Sequence, residues 1–288
     1  MTLKNKCALI TGANQGLGLE IAKQYILAGA HVMLCARNLA LLQKIREELS
    51  HFATHNKIFI RQTDIAHPQQ VKELVSTSIE QLGDLDILVA NAGVYGTKGP
   101  LEEINWDEWS NAIDINLKGT VLLCKEVLPH FKKKQAGKIL IVAGGGATKP
   151  MPFLSAYAAS KAGVVRFGET LAEETKQHHI DVNMIAPGAL NTRLLTEILE
   201  AGPEKVGQAF YDQSLQQQQT GGASPEIGAK LCVYLASNKS NGITGKLISA
   251  IWDPWETMLD HIEDLKNSDI YTLRRITPKD RGKNWGDA

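Results

Sequence analysis

Cys7-Ala8-Leu9-Ile10-Thr11 runs directly into Gly12-Ala13-Asn14-Gln15-Gly16-Leu17-Gly18, and this stretch decides the fold. The first five residues read as a short buried strand. From Leu17 to Ala28 the apolar positions take helical spacing. Glycines between strand and helix let the backbone turn sharply and approach a pyrophosphate closely. A helix that opens near Gly16 aims its unpaired N–H groups at phosphate oxygens. Glycines also simply end strands, but the strand–turn–helix context is the one that dinucleotide binding requires.

Outward from this turn the pattern repeats. Strand-like runs are His31–Cys35, Lys57–Gln62, Ile87–Asn91, Lys138–Ala143, Asp181–Ala186 and Lys246–Ala250. Between them lie amphipathic segments, Leu39–His51, Pro68–Leu82, Trp106–Lys134, Ala156–Gln177 and Ser224–Ala236. Alternation of this kind predicts an α/β fold, a doubly wound parallel sheet of about seven strands in a single domain. Its ligand site is expected at the carboxyl ends of the strands. The Gln-rich patch Gln213–Thr220, followed by Gly221-Gly222, reads as a mobile connection.

The composition narrows the class. With 43% hydrophobic residues and 288 positions, the chain can bury a sizeable core. Apolar runs such as Ile139–Ala143 are strand-sized, far short of a membrane span, and the N-terminal run is too short for a signal peptide. Thirty-one basic and 31 acidic side chains cancel, which argues against nucleic acid or anionic lipid as a bulk partner. Cys7, Cys35, Cys124 and Cys232 are scattered in apolar surroundings with no metal-ligand spacing. They read as buried thiols of a soluble, cytoplasmic protein. The histidine pair His178-His179 reads as a favourable charge at a helix end, and no metal is expected.

Tyr157-Ala158-Ala159-Ser160-Lys161 places a phenol and an ammonium on one helical face. A neighbouring ammonium is expected to lower the phenol pKa, which makes Tyr157 a candidate general acid/base. With the glycine turn, this motif makes residues from Lys4 to Ala250 resemble the short-chain dehydrogenase/reductase family, of the compact, Rossmann-like, single-domain kind. The resemblance also rests on Asp64 after the third strand, Asn91-Ala92-Gly93 after the fourth, Asn116, the Pro187–Thr192 loop and Ile243-Thr244-Gly245. It implies hydride transfer between a nicotinamide and a carbonyl or secondary alcohol. Asn116, Tyr157 and Lys161 are the catalytic candidates that it implies. Asn116 would hold a water, and Lys161 the nicotinamide ribose. The cofactor candidates are Thr11, Gly12, Asn14, Gln15, Gly16, Leu17, Gly18, Arg37, Asp64, Ile65, Asn91, Ala92, Gly93, Tyr157, Lys161, Pro187, Gly188 and Thr192.

Two positions depart from or refine that pattern. Thirteen residues before Tyr157, where the family most often carries a catalytic serine, stands Gly144 within Gly144-Gly145-Gly146. Backbone N–H groups there, or Thr148 or Ser155, are the substitutes to consider, so Gly144, Gly145, Thr148 and Ser155 are the substrate-site candidates. At the end of the second strand an acidic residue would favour NAD; Ala36-Arg37 stands there instead. A guanidinium forks onto a 2′-phosphate, so NADP is expected over NAD.

Leu194, Leu195, Ile198 and Leu199 share helical faces after Thr192, where the family carries a lid; packing is the expected role of most of them. Residues 251–288 form a helical or irregular extension beyond a 1–250 dinucleotide-binding domain. Asp253-Pro254-Trp255-Glu256 reads as a helix start, with Trp255, Met258, Leu259, Ile262 and Leu265 as its apolar stripe. Arg274-Arg275 beside Tyr271 and Trp285 suggests an arm that staples an oligomer, with a grip on a phosphorylated substrate as the sharper alternative. Relatives pair through the helices that hold Asn116 and Tyr157, so a homodimer or homotetramer is expected. Beside the oxidoreductase reading stand two others: a dinucleotide-binding regulator or scaffold without catalysis, and a dehydratase or epimerase acting on a nucleotide sugar with tightly held cofactor.

Overall fold

Seven parallel strands pair in the order β3-β2-β1-β4-β5-β6-β7 in a computed structural model that describes residues 2–285. They are β1 Cys7–Thr11, β2 His31–Ala36, β3 Ile58–Gln62, β4 Ile87–Ala90, β5 Gly137–Val142, β6 Ile180–Ala186 and β7 Leu247–Ser249. The chain winds outward from β1 to β3, then returns to the other side of β1 with β4. Next to that reversal, the loops at the carboxyl ends of β1 and β4 part and open a crevice.

Helices cover both faces, which is why the strands are almost wholly apolar rather than alternating. On one face Ala8, Ile10, Val32 and Leu34 pack with Ile21, Tyr25 and Leu231. On the other Leu9, Met33, Leu88 and Ile139 pack with Leu74, Leu123 and Val164. The covering helices are α1 Gly16–Leu27, α2 Leu39–Ser50, α3 Pro68–Leu82, α4 Trp106–Ile113, α5 Gly119–Lys134, α6 Ser155–Thr175, α7 Arg193–Ala201, α8 Pro203–Val206, α9 Gln208–Thr220, α10 Pro225–Ala236 and α11 Ile262–Lys266. The four cysteines are free and buried, as their apolar surroundings suggest. Among the described residues no helix is long and apolar enough to cross a membrane.

Three expectations need correction. The Trp106–Lys134 segment is not one regular helix. A π-helical turn at Asp114–Lys118 joins α4 to α5 and carries the buried Asn116. The Gln-rich patch is helical, not a loose connection. Glutamine is a good helix former, Ser214 is buried, and Gln217 Nε2 donates to Asn191 Oδ1 at 3.1 Å. After β7 the chain makes a 3-10 helix, Trp255–His261, before α11. Asp253 does not cap it: its carboxylate accepts from the Ser249 N–H at 2.6 Å and closes a turn back to β7.

The extension lies on its own body. Met258 and Leu265 enter the core cluster beside α1 and α10, and the Trp255 ring lies 5.7 Å from that of Tyr234. Farther on, the segment runs along the outer edge of the sheet, where Leu247 N–H donates to Tyr271 O at 2.8 Å. Lys246, almost wholly buried, donates to Ser268 O and Ile270 O. Glu169 on α6 accepts from Leu273 N–H at 2.6 Å. Arg274 is not free for a phosphate, because Asp269 and Asp280 both hold it. Trp285 is exposed, and residues 286–288 lie outside the described ones.

Candidate active site

A cleft of about 1060 Å³ runs across the carboxyl ends of the strands, from the glycine turn after β1 to the helices after β6. Its floor is set by the splice between β1 and β4. Thr11 Oγ1 accepts from the N–H groups of Asn91 and Ala92, and Asn91 Nδ2 donates to Thr11 O at 2.8 Å. Thr11 is therefore fully buried and shapes the turn without reaching the cleft. Gly18 packs so tightly that a β-carbon would stand 2.3 Å from Gly12 O. Only glycine lets α1 start this close to β1. The side chain of Gln15, which precedes α1, leaves the helix uncapped, so its first N–H groups face the cleft.

Of the other cofactor candidates, Gly12, Asn14, Gln15, Gly16, Leu17, Arg37, Asp64, Ile65, Asn91, Ala92, Gly93, Pro187, Gly188 and Thr192 line the cleft together with Gly18. Arg37 is exposed at its far end, and its guanidinium has no ion pair or hydrogen bond among the described residues. Its backbone is held: Gln62 Nε2 donates to Arg37 O at 2.9 Å. Thr192 closes the near side, its methyl 3.3 Å from where a β-carbon on Gly16 would stand.

Tyr157 and Lys161, one turn apart on α6, are both buried and both line the cleft. Lys161 Nζ donates to Val142 O at 2.8 Å and sits 5.8 Å from the centre of the Tyr157 ring. Burial pulls the Lys161 ammonium down from 10.5 to about 8. The expected lowering of the Tyr157 pKa is not found. Burial, followed by the neighbouring Tyr95 phenol, pushes it well above 10. Desolvation of the phenolate outweighs the reach of an ammonium that is itself destabilised by burial.

Asn116 is enclosed. Its Oδ1 accepts from Val94 N–H at 2.9 Å, and its Nδ2 donates to Val94 O and Ser160 Oγ. It does not line the cleft, yet Asn116 Oδ1 and Lys161 Nζ stand 3.2 and 3.4 Å from the point where a β-carbon on Gly93 would be. A side chain at 93 would separate them.

Gly144 lies beneath Tyr157. Its backbone is extended, a conformation open to any residue, so the constraint is space. A β-carbon there would come 2.5 Å from the Tyr157 hydroxyl oxygen. The tyrosine thus occupies the volume that a serine at 144 would take. Gly145 and Thr148 line the same cleft. Ser155 does not, because its Oγ accepts from Trp109 Nε1 at 3.1 Å.

The helices α7 to α9 form the roof. Leu195 and Ile198 are buried, and Ile198 joins Tyr157, Leu154 and Val206 in a small apolar cluster with Tyr95, Met151 and Phe210. The lid packing expected of this stripe is therefore real, and the same packing shapes the substrate end. Sequence reasoning missed Tyr95, Met151 and Trp252, all of which line the cleft. Tyr95 had a usable signal, since it follows Asn91-Ala92-Gly93 at the carboxyl end of β4.

Residues 6–202 match the short chain dehydrogenase family. The chain is 30% identical over 253 residues to dehydrogenase/reductase SDR family member 4 of Sus scrofa, covering 85% of this chain and 86% of that protein. It is 33% identical over 236 residues to an uncharacterized oxidoreductase of Listeria monocytogenes, covering 81% and 91%. Its fold superposes on that of NAD+-bound xylitol dehydrogenase with a TM-score of 0.80, at 22% identity, covering 86% and 98%. The chain belongs to the short chain dehydrogenase family of NAD(P)-using oxidoreductases.

Proposed function

We propose that this protein is an NADP(H)-dependent oxidoreductase that interconverts a carbonyl compound and a secondary alcohol, with Tyr157 as general acid/base. One observation carries the reading: the Tyr157 hydroxyl rests on Gly144 in a cleft continuous with an uncapped helix start and an unpaired Arg37.

The residues present fit a dinucleotide. The β-carbon-free turn at Gly12, Gly16 and Gly18 and the N–H groups of α1 suit a pyrophosphate. Asp64 and Ile65 would receive the adenine, and Asn14 and Arg37 the adenosine ribose. The fold relative xylitol dehydrogenase is NAD+-bound; the choice of NADP here rests on Arg37, with Ala36 in the acidic residue's place. When bound, the nicotinamide supplies or accepts the hydride.

This chain's own residues supply the rest. The Tyr157 phenol is protonated at neutral pH and can donate its proton to a carbonyl oxygen. Lys161 holds the ribose hydroxyls and returns a proton toward Tyr157. Asn116 acts by fixing Val94 and, through Ser160, the turn of α6 between Tyr157 and Lys161. The apolar roof of Ile198, Met151 and Phe210 excludes water and selects an apolar flank on the substrate. A cytoplasmic homodimer or homotetramer, paired through α5 and α6, is the assembly proposed with this reading.

Tyr157→Phe tests it. Turnover of carbonyl probes should fall below detection while NADPH affinity, read by fluorescence titration, stays within about twofold. Full turnover by Tyr157→Phe would remove the mechanism.

A further inference from the structure

We infer that Tyr95 donates the hydrogen bond to the substrate oxygen that Gly144 cannot, so that the two phenols, Tyr95 and Tyr157, grip the reacting carbonyl together. This inference rests on the oxidoreductase reading above.

The Tyr95 ring meets the Tyr157 ring edge-on, centroids 4.6 Å apart, and lines the same cleft. Tyr95 is half-buried, and its hydroxyl has no hydrogen-bond partner among the described residues. That hydroxyl is open to solvent in the cleft and free to bond whatever enters it.

The backbone on both sides of Tyr95 is clamped. Asn116 holds Val94 by its N–H and its C=O at once. Gly96 is left-handed at φ 73°, and a β-carbon there would meet the Ala112 methyl at 2.5 Å. The tyrosine therefore sits on a segment fixed to α4 and to the π turn. Its position is preorganised, as a donor to developing negative charge must be.

The roof engages the same segment. Lys98 pairs with Glu197 of α7 at 3.7 Å and lies 6.0 Å from the Tyr95 ring centre, and Arg193 pairs with Glu197 at 2.5 Å. Burial, and then Glu197, lift the Tyr95 phenol to about 12, so it remains a neutral donor throughout the working range. It is not a second proton source: Tyr157 gives its proton to the oxygen, while Tyr95 keeps its own and shares it.

The alternative donor is the backbone at Gly144–Gly146, and the alternative role for Tyr95 is a wall. Tyr95→Phe separates these, since it keeps the ring, its edge contact and its volume. The probes are 4-nitrobenzaldehyde, an activated carbonyl, and 4-methoxybenzaldehyde, a deactivated one, each with NADPH. For the deactivated aldehyde kcat should fall about a hundredfold with KM nearly unchanged. For the activated aldehyde, whose oxygen needs less help, the fall should be several times smaller. NADPH affinity should not move.

Equal rates in Tyr95→Phe and the parent protein would overturn the inference and leave the oxidoreductase reading standing. So would an equal loss on both aldehydes, or a loss confined to KM, because a wall does not sense the electronics of the carbonyl. If the parent protein bound NADPH and reduced neither aldehyde nor a wider carbonyl panel, the oxidoreductase reading would fail and take this inference with it.

Discussion

Replacing Lys161 with methionine changes the pH dependence of stability by an amount that follows from its burial. The ammonium is nearly inaccessible, and its pKa falls from 10.5 to about 8 for that reason. A tenfold change in acidity is worth about 1.4 kcal/mol, so holding this charge inside the fold costs about 3 kcal/mol at neutral pH. Below pH 8 that cost is present in full, because folded and unfolded lysine are both charged. Between pH 8 and 10.5 the unfolded chain keeps the proton and the folded one releases it, so stability rises with pH. Integration gives a recovery of about 2–3 kcal/mol between pH 7 and pH 10. Methionine keeps most of the stem and carries no charge. Lost packing, and the lost hydrogen bond to Val142 O, shift the variant's stability by a similar amount at both pH values. The assay is urea unfolding of parent protein and Lys161→Met at pH 7 and pH 10, without cofactor. The difference in stability, variant minus parent, should be about 2–3 kcal/mol more favourable to the variant at pH 7 than at pH 10. A difference that does not move with pH would show that the ammonium is solvated, and the reasoning from its burial would be wrong.

Arg37→Ala should weaken NADPH binding by about 1.5–3 kcal/mol, one to two decades, and leave NADH almost untouched; equal affinities for NADPH and NADH in the parent protein would refute the assignment. Gly144→Ser should lower kcat for every carbonyl probe by at least tenfold, because the new β-carbon must displace the Tyr157 hydroxyl that now stands 2.5 Å away. A gain in turnover would mean that Tyr157 moves aside and that glycine marks a lost serine. Leu265→Ala should destabilise the whole fold by about 2–3 kcal/mol in urea, since Leu265 is buried in the main core cluster; an unchanged midpoint would show that the extension contributes nothing to the body.

Much of the sheet was legible because each strand is a short apolar run flanked by turn signals, and Pro68–Leu82 carries its own start and stop in Pro68 and Gly83. The glycine turn was legible for the same local reason. What escaped depends on partners distant in sequence. Nothing near Tyr95 announces that its ring will meet Tyr157, because the contact is made between the loop after β4 and α6. The direction of the Tyr157 pKa was misjudged because spacing gives the distance to Lys161 but not the burial that opposes it. The periodicity around Asn116 reads as ordinary helix, although one extra residue in that turn makes it π. Asp253 has the residue type and spacing of a cap, but the nearer Ser249 N–H takes its carboxylate. Nothing near Thr11 or Ser155 announces that the first accepts from the Asn91 and Ala92 N–H groups and the second from Trp109 Nε1.

The hydrogen bond from Leu247 to Tyr271 has a bearing on how the molecule is made. β7 is the outermost strand, and the segment that covers it follows it in the chain. Until Ser268–Leu273 emerge, a nascent chain with every strand synthesised still presents a bare sheet edge and a buried-to-be Lys246 without its carbonyl partners. Such an edge is a template for pairing with another chain. The interval before the extension docks is therefore when this protein is most exposed to aggregation.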